Sequence, residues 1–217
     1  MKVSFVIPSW NHFELINQLL VDIHEHTKPD EIIVVDDCST DSKAIEGLEW
    51  WRVNYGVKVV RLSENLGFLK ASNFGLKQAT GDIVCLISTD VRIFEDITFY
   101  VKVTLGEGVK ALFGGVVYRD STGWNEFNGK IFPYAEGWFL AATKTAWEEF
   151  GYFDEELAPH DFEDVSLSTV AISLGYELLS IPPSAMKHVG AQTIGYTEER
   201  RKITEVNREK FREKWIK

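Results

Sequence analysis

The sequence predicts an α/β protein built on one mainly parallel β-sheet that is flanked by helices. Short apolar runs alternate with helical patterns through the first half of the chain, which is the order expected of βαβ units. The run EIIVV at 31–35 is apolar after its first residue, as in a strand that is buried on both faces. The length of 217 residues fits one large domain better than two small ones.

The first half of the chain predicts four strands and three helices. The helix after the first strand is the clearest, because Leu15, Ile16, Leu19 and Ile23 recur at helical spacing. The strands are expected at 3–7, 31–35, 57–62 and 82–87, and the helices at 13–26, 42–53 and 69–78.

The second half predicts a less regular arrangement. We expect strands at 114–118 and 138–142, separated by a polar and aromatic stretch at 120–133. A helix at 165–174 ends before Gly175. The charged tail 197–217 is expected to be a helix that docks on the core through Phe211, Trp215 and Ile216.

Composition limits the classes of partner. The formal net charge is −10, which disfavours nucleic acid as a partner because phosphate backbones are bound by basic surfaces. No apolar run approaches the roughly 20 residues that a membrane-spanning helix needs. The N-terminus does not resemble a signal peptide, and we expect a cytoplasmic protein without a transmembrane segment. Cys38 and Cys85 are therefore expected to be buried free thiols rather than a disulfide.

Polar residues follow several predicted strands at the point where each strand ends. Asp36 and Asp37 follow the second strand, Asp90 follows the fourth, and the run Pro8-Ser9-Trp10-Asn11 ends the first. A single aspartate in such a place is commonly a turn or cap residue. Three sites at the carboxyl edge of one parallel sheet instead indicate a ligand site.

A second acidic cluster, His160-Asp161-Phe162-Glu163-Asp164, precedes the helix expected at 165. One alternative is structural, with Asp161 capping the helix and acidic residues favouring its N-terminus. The other is functional, since paired carboxylates serve in proton transfer. His188 is a further candidate ligand, although a lone histidine is more often structural.

Common nucleotide and hydrolase motifs are absent from the sequence. There is no P-loop, no G-x-S-x-G elbow and no H-E-x-x-H zinc motif. The segment 106–111 matches G-x-G-x-x-A but does not follow a first strand, so it does not indicate a dinucleotide site.

A series of short strings follows in a fixed order along the chain: VIPSWN at 6–11, VVDDCSTD at 34–41, ENLGF at 64–68, ATGD at 79–82, STDV at 88–91, GYFDE at 151–155, FEDVSL at 162–167 and His188. Taken together, these ordered strings resemble the family 2 glycosyltransferases, which have the GT-A fold, over essentially the whole chain. The N-L-G-F string, the x-x-D-V ending and the F-E-D-V-x-L helix start are most similar to the rhamnosyltransferase-like branch.

The resemblance implies a single GT-A domain over 1–217. Residues 1–91 would be its nucleotide-binding half, 92–196 its acceptor and catalytic half, and 197–217 a C-terminal helix. The implied donor is a UDP- or dTDP-sugar, because Asp37 would accept a hydrogen bond from a pyrimidine ring N–H. The implied acceptor is a hydroxyl of a glycan, or of a lipid-linked or protein-linked molecule.

The resemblance also implies roles for individual residues. Asp164 would be the general base of an inverting transfer, with Glu163 beside it. Asp90 and His188 would hold Mn²⁺ or Mg²⁺, and Gly137 and Trp138 would lie at the acceptor. The nucleotide-sugar site would comprise Pro8, Trp10, Asn11, Asp37, Asn65, Lys70, Ser88, Thr89 and Asp90.

One position departs from the family's acidic D-x-D metal motif, because Ser88-Thr89-Asp90 has serine at its first position. The loss of one acid leaves open a catalytically inactive module that binds a nucleotide sugar or a glycan. A nucleotidyltransferase on a related fold is a second alternative, although its glycine-rich first loop is missing. Retention of Asp90, Asp164 and His188 favours an active glycosyltransferase.

Overall fold

A computed structural model describes residues 1–190, 195 and 197–216, and it has the α/β architecture expected from the sequence. In the first half, strands β1 to β4 alternate with helices α1 to α3. The strands are β1 Val3–Ser9, β2 Glu31–Asp36, β3 Lys58–Arg61 and β4 Ile83–Ile87, and the helices are α1 Phe13–His26, α2 Ser42–Tyr55 and α3 Gly67–Gln78. All seven predicted elements of this half are confirmed, with ends that differ by at most two residues.

The second half contains more elements than the sequence indicates. The predicted strands are β6 and β9, and β9 begins four residues before its predicted start, at Tyr134. The described elements are β5 Val91–Ile93, α4 Ile97–Gly106, β6 Ala111–Val117, β7 Glu126–Phe127, β8 Lys130–Ile131, β9 Tyr134–Thr143, α5 Lys144–Phe150, a short 3₁₀ turn at Glu155–Leu157, α6 Glu163–Ser173, β10 Glu177–Ser180, β11 Met186–His188 and α7 Glu198–Trp215. Lys217, the last residue of the predicted terminal helix, lies outside the described residues.

The central sheet has seven strands in the order β10-β6-β9-β4-β1-β2-β3. Strands β1 to β4 are parallel to one another, and β9 runs antiparallel to both β4 and β6. The reversed β9 brings its first residues to the edge where β4 ends, with Phe139 paired to Ile87. The edge of the sheet at which β4 ends therefore contains residues from both halves of the chain.

The core fills both faces of this sheet. Successive side chains of β1 point to opposite faces, so Phe5 and Ile7 pack with α1 and α4, while Val6 packs against α3. On the second face, Phe211 of α7 is buried among aromatic rings of the β7–β8 hairpin and the loop before α6. The predicted docking of the tail through Phe211, Trp215 and Ile216 is confirmed.

Two further predictions concern thiols and membranes. Cys38 and Cys85 are both free, but only Cys85 is fully buried, and Cys38 is partly exposed beside Ser63. Among the residues described, no helix combines the length and the apolar character needed to cross a bilayer.

Candidate nucleotide-sugar and carboxylate site

A large cavity of about 1330 Å³ lies past the carboxyl ends of β1, β2 and β4. This is the edge of a parallel sheet at which ligands of open α/β folds bind. Two of the sequence-predicted site residues, Asn11 and Lys70, are not among its lining residues. The predicted residues that line it are Pro8, Trp10, Asp37, Asn65, Ser88, Thr89, Asp90, Gly137, Trp138, Glu163, Asp164 and His188.

One end of the cavity is formed by the first two strand ends. Trp10 presents an exposed ring beside buried Pro8, which gives a flat apolar surface suited to a nucleobase. Asp37 is buried, and its two carboxylate oxygens accept hydrogen bonds from the backbone N–H groups of Leu66 (2.7 Å) and Gly67 (2.8 Å). Each oxygen keeps a further lone pair, so the carboxylate fixes the 65–67 loop and retains acceptor capacity for a ligand.

Asn11 has a structural position rather than a place in the cavity wall. Its backbone has φ 53°, and its side-chain oxygen accepts from the N–H groups of Thr40 (2.8 Å) and Asp41 (2.9 Å). Its own N–H donates to Ser39 Oγ at 2.7 Å. Asn11 therefore joins the loops after β1 and β2, which hold Trp10 and Asp37.

Asp90 and His188 meet in the middle of the cavity. The short strands β5 and β11 pair antiparallel, with Val91 opposite His188, and this pairing brings together residues 98 positions apart in the chain. Asp90 Oδ2 lies 3.4 Å from His188 Nε2, a separation compatible with two ligands of one divalent cation. The described residues contain no group of three or more histidine, cysteine, aspartate or glutamate side chains placed to hold a metal.

The two ends of the cavity are linked through Trp138. Its indole ring stacks on His188, with centroids 5.4 Å apart and planes inclined by 13°. The indole N–H donates to Glu136 Oε2 at 3.0 Å, and the carbonyl of Trp138 accepts from the N–H of Ser88 at 2.9 Å. Trp138 therefore orients His188 and braces the loop that carries Asp90. Sequence analysis did not identify Glu136.

Glu163 and Asp164 begin helix α6 and face the start of β9. Asp164 Oδ2 accepts from the N–H of Gly137 at 3.2 Å, and Oδ1 accepts from the N–H of Val165 at 2.8 Å. Glu163 is buried, and its Oε2 has no hydrogen-bond partner among the described residues. The amide of Gly137, predicted to lie at the acceptor, is thus used to orient Asp164.

The two neighbouring carboxyls differ in their proton affinity. Burial, together with the charge of Asp164, raises the pKa of Glu163 well above its ordinary value. Burial raises the pKa of Asp164 to about 7, opposed by the two amide hydrogen bonds. Two backbone amides therefore stabilise the ionised form of Asp164, whereas Glu163 Oε2 has no such donor among the described residues.

Helix α7 holds the loop before this pair. Asp161 and Phe162 both have left-handed backbone conformations, with φ 68° and φ 71°, which are strained for residues with side chains. Asp161 accepts from Arg200 at 2.7 Å and from Thr204 at 2.7 Å. Buried Asn207 donates to the carbonyls of Leu157, His160 and Asp161 at 2.7, 2.9 and 3.0 Å.

These contacts correct one structural alternative for the acidic cluster. Asp161 does not cap α6, since the cap position is Phe162 and no side chain bonds the first turn from there. Asp161 instead ties the loop to α7. Sequence analysis missed Asn207, because one asparagine within a charged helix gives no distinguishing pattern.

The fold and cavity together define a GT-A glycosyltransferase domain. The family model described as "Glycosyl transferase family 2" matches residues 4–157, more than two thirds of the chain. The chain therefore belongs to glycosyltransferase family 2, as the sequence motifs predict. The matches do not confirm the rhamnosyltransferase-like branch.

Known proteins of similar sequence and structure agree with this assignment. The poly-beta-1,6-N-acetyl-D-glucosamine synthase of Staphylococcus epidermidis is 26% identical across 89% of this chain and 51% of its own length. The poly(ribitol-phosphate) beta-N-acetylglucosaminyltransferase TarS of Staphylococcus aureus is 36% identical across 42% of this chain and 16% of its own length. The matched region thus spans at most about half the length of these relatives.

Solved structures show the same fold. A mannosyltransferase of Pyrobaculum calidifontis, in complex with GDP-Man and Mn²⁺, superposes with a TM-score of 0.69 and 22% identity over 88% of this chain and 58% of that chain. A fragment of S. aureus TarS in complex with UDP-GlcNAc superposes with a TM-score of 0.66 and 22% identity over 95% of this chain and 65% of that chain.

Proposed function

We propose that this chain transfers a sugar from a UDP- or dTDP-sugar to an acceptor hydroxyl with inversion of the anomeric centre, and that Asp164 is the general base. The observation that carries the proposal is the unequal pair at the start of α6. Two backbone amides stabilise the ionised form of Asp164 at the cavity wall, whereas Glu163 is buried and its Oε2 has no donor among the described residues. This difference favours Asp164 as the base within the pair.

The proposed transfer forms one bond, breaks one bond and moves one proton. The acceptor oxygen forms a bond to the anomeric carbon from the side opposite the leaving group, and the bond between that carbon and the phosphate oxygen breaks. The bonding electrons leave with the nucleoside diphosphate, and the acceptor proton passes to Asp164. The amide N–H groups of Gly137 and Val165 orient the carboxylate for this step.

Asp90 and His188 are the residues we assign to a divalent cation. Their oxygen and imidazole donors suit Mn²⁺ or Mg²⁺, and the 3.4 Å between them fits neighbouring positions on one ion. A bound cation would supply Lewis-acid stabilisation of the charge that develops on the diphosphate. The similar structure with GDP-Man and Mn²⁺ supports a metal of this kind.

The nucleotide end of the cavity supports a pyrimidine base. Asp37 accepts hydrogen bonds but cannot donate them when ionised, so it favours a base with a ring N–H, such as uracil or thymine, over cytosine. Pro8 and Trp10 would flank that base, and Asn65 lies beside the same loop. The similar structure that holds UDP-GlcNAc supports this preference, whereas the structure that holds GDP-Man makes guanine the alternative to test.

The test is a donor screen on the purified chain. UDP-, dTDP- and GDP-sugars are incubated with Mn²⁺ or Mg²⁺, release of the nucleoside diphosphate is measured, and calorimetry ranks UDP, dTDP, CDP and GDP. We expect turnover with a UDP- or dTDP-sugar and tighter binding of that nucleotide than of CDP. Equal affinities for all four nucleotides would overturn the pyrimidine assignment, and nucleotide-sugar binding without turnover would favour the inactive binding module.

A further inference from the structure

Part of the cavity wall lies outside the residues predicted for the donor, the cation and the base. This part is lined by residues 120–122, 124 and 125 of the loop 118–125 and by the first turns of α7. Ligand pockets commonly measure about 300–1000 Å³, and the whole cavity of about 1330 Å³ exceeds that range. There is room for a second substrate beside a nucleotide sugar.

The loop 118–125 is held in one conformation by a buried asparagine. Asn125 is 1% exposed, and its amide group donates to the carbonyls of Tyr118 at 3.1 Å and Phe132 at 2.9 Å. Its side-chain oxygen accepts from the N–H of Asp120 at 3.0 Å. A loop built in this way presents its side chains without an ordering cost on binding.

Trp124 is the aromatic side chain that this loop places at the cavity. Its residue is partly exposed, and its carbonyl accepts from Arg208 Nε of α7 at 3.2 Å. The Arg208 guanidinium also lies 6.0 Å from the Trp124 ring centroid. These contacts fix the position of Trp124 and leave part of its surface open to the cavity.

Asp120 supplies a carboxylate on the same wall. Oδ1 accepts from the N–H of Thr122 at 2.6 Å and also from the Thr122 hydroxyl, and Oδ2 accepts from the Tyr134 hydroxyl at 3.2 Å, which leaves Oδ2 a lone pair for a ligand. Burial and the charges of Asp164 and Asp120 raise the pKa of Tyr134, so its hydroxyl remains a donor. Tyr134 is thus hydrogen-bonded to Asp120 and lies within the electrostatic influence of Asp164.

We propose that Trp124 and Asp120 form the acceptor subsite and that they bind a pyranose glycoside. The ring of Trp124 would cover the C–H face of the acceptor sugar, and Asp120 Oδ2 would accept a hydrogen bond from one of its hydroxyls. This inference rests on the proposed transfer function and adds the class of acceptor.

The test measures how the donor sugar is partitioned between acceptor and water. Wild-type protein, Trp124→Ala, Trp124→Phe and Asp120→Asn are supplied with the UDP- or dTDP-sugar that supports turnover. The acceptors are p-nitrophenyl glycosides of glucose, galactose, N-acetylglucosamine, N-acetylgalactosamine and rhamnose. Tyr118→Ala is the matched control, because that side chain belongs to the same loop but is 74% exposed and does not line the cavity.

We expect Trp124→Ala and Asp120→Asn to lower the ratio of transfer to hydrolysis by about tenfold, through a higher acceptor KM. Trp124→Phe should restore most of the ratio, since it keeps an aromatic face, and Tyr118→Ala should match the wild type. Thermal melts of each variant serve to check that the compared proteins are folded. Unchanged acceptor KM in folded Trp124→Ala would overturn the subsite.

Two other outcomes are distinguishable. Donor hydrolysis by the wild type without glycosylation of any glycoside would contradict a pyranose acceptor and leave the proposed donor chemistry standing. Absence of turnover with every donor would be a failure of the proposed function itself.

Discussion

At the residue scale, the proposed chemistry depends on two adjacent carboxyls in different surroundings. Glu163 is buried without a partner for one oxygen among the described residues, and Asp164 is oriented by two backbone amides at the cavity wall. The amide hydrogen bonds stabilise the ionised form of Asp164, whereas burial raises the pKa of Glu163 well above its ordinary value. This difference is the physical basis for proposing Asp164 as the base.

The first prediction is a rise in rate with pH. Because Asp164 accepts the proton only when ionised, a pKa of about 7 makes the turnover rate increase by about tenfold between pH 6 and pH 8. This carboxyl has a folded-state pKa above its ordinary 3.8, so its contribution to stability is full at low pH and declines as the pH rises towards 7. A higher rate is therefore not explained by more folded protein.

The measurement is the pH dependence of kcat for donor turnover, with thermal melts at each pH. Glu163→Gln serves as the control, because it removes the second titrating carboxyl at nearly unchanged volume, and some turnover should remain with an acid limb. A rate independent of pH between 6 and 8 would contradict Asp164 as the base.

The sequence predicts the site residues at strand ends better than it predicts the contacts between distant segments of the site. Asp37 and Asp90 follow long apolar strands, whose pattern is visible without the structure, and parallel topology brings their ends together. Which member of the Glu163–Asp164 pair ionises depends on burial, which spacing does not contain. Asn11 lies in a string that matches the family, but its side chain accepts hydrogen bonds from the loop after β2 and does not line the cavity.

At the element scale, short pieces of structure position the functional groups. Strands β5 and β11 have three residues each, too few for a periodic pattern, yet their pairing joins Asp90 to His188. Helix α7 lies beyond the matched family region and holds the loop before α6 through Asn207. Neither contact between distant segments leaves a local signal in the sequence.

The second prediction concerns the support that α7 gives to the base. Asn207→Leu keeps a similar volume but removes the amide group that donates to three loop carbonyls. The loop that contains the strained residues Asp161 and Phe162 is then no longer bonded to α7 through this side chain. We expect kcat to fall by about tenfold or more while nucleotide affinity is retained, with a stability loss of about 1–3 kcal/mol.

Lys210→Ala is the matched control for this helix, since Lys210 also donates to a loop carbonyl, that of Glu156, but lies at the exposed surface. Kinetics and nucleotide calorimetry are compared below the melting temperature of both variants. If folded Asn207→Leu turned over at the wild-type rate, α7 would not position the catalytic pair.

The third prediction concerns the cation that we propose for Asp90 and His188. With Asp90 and His188 as the protein ligands, Mn²⁺ should bind measurably only when a nucleoside diphosphate completes its coordination. His188→Ala should weaken this ternary binding, and the exposed His24→Ala of α1 is the control. Calorimetry with and without UDP decides the point, and tight Mn²⁺ binding to the nucleotide-free wild type would contradict this ligand set.

At the scale of the whole molecule, the negative charge of the chain and the shape of the cavity both affect how a nucleoside diphosphate could bind. The chain has a formal net charge of −10, and the cavity carries several carboxylates, so a bare diphosphate would be repelled. The cation proposed at Asp90 and His188 would resolve this conflict for the donor. The antiparallel strand β9 places Trp138 beside His188 and Gly137 beside Asp164, and all four residues line one cavity.

The most direct test of the central claim compares Asp164→Asn with the wild type in transfer and in nucleotide binding. Asparagine keeps the shape of aspartate but cannot accept the acceptor's proton, so transfer should fall by roughly 10²–10⁴-fold while nucleotide affinity is nearly unchanged. Glu163→Gln, measured in parallel, should lose much less. Near wild-type transfer by folded Asp164→Asn would contradict the assignment of the base, and a larger loss in Glu163→Gln would move that role to Glu163.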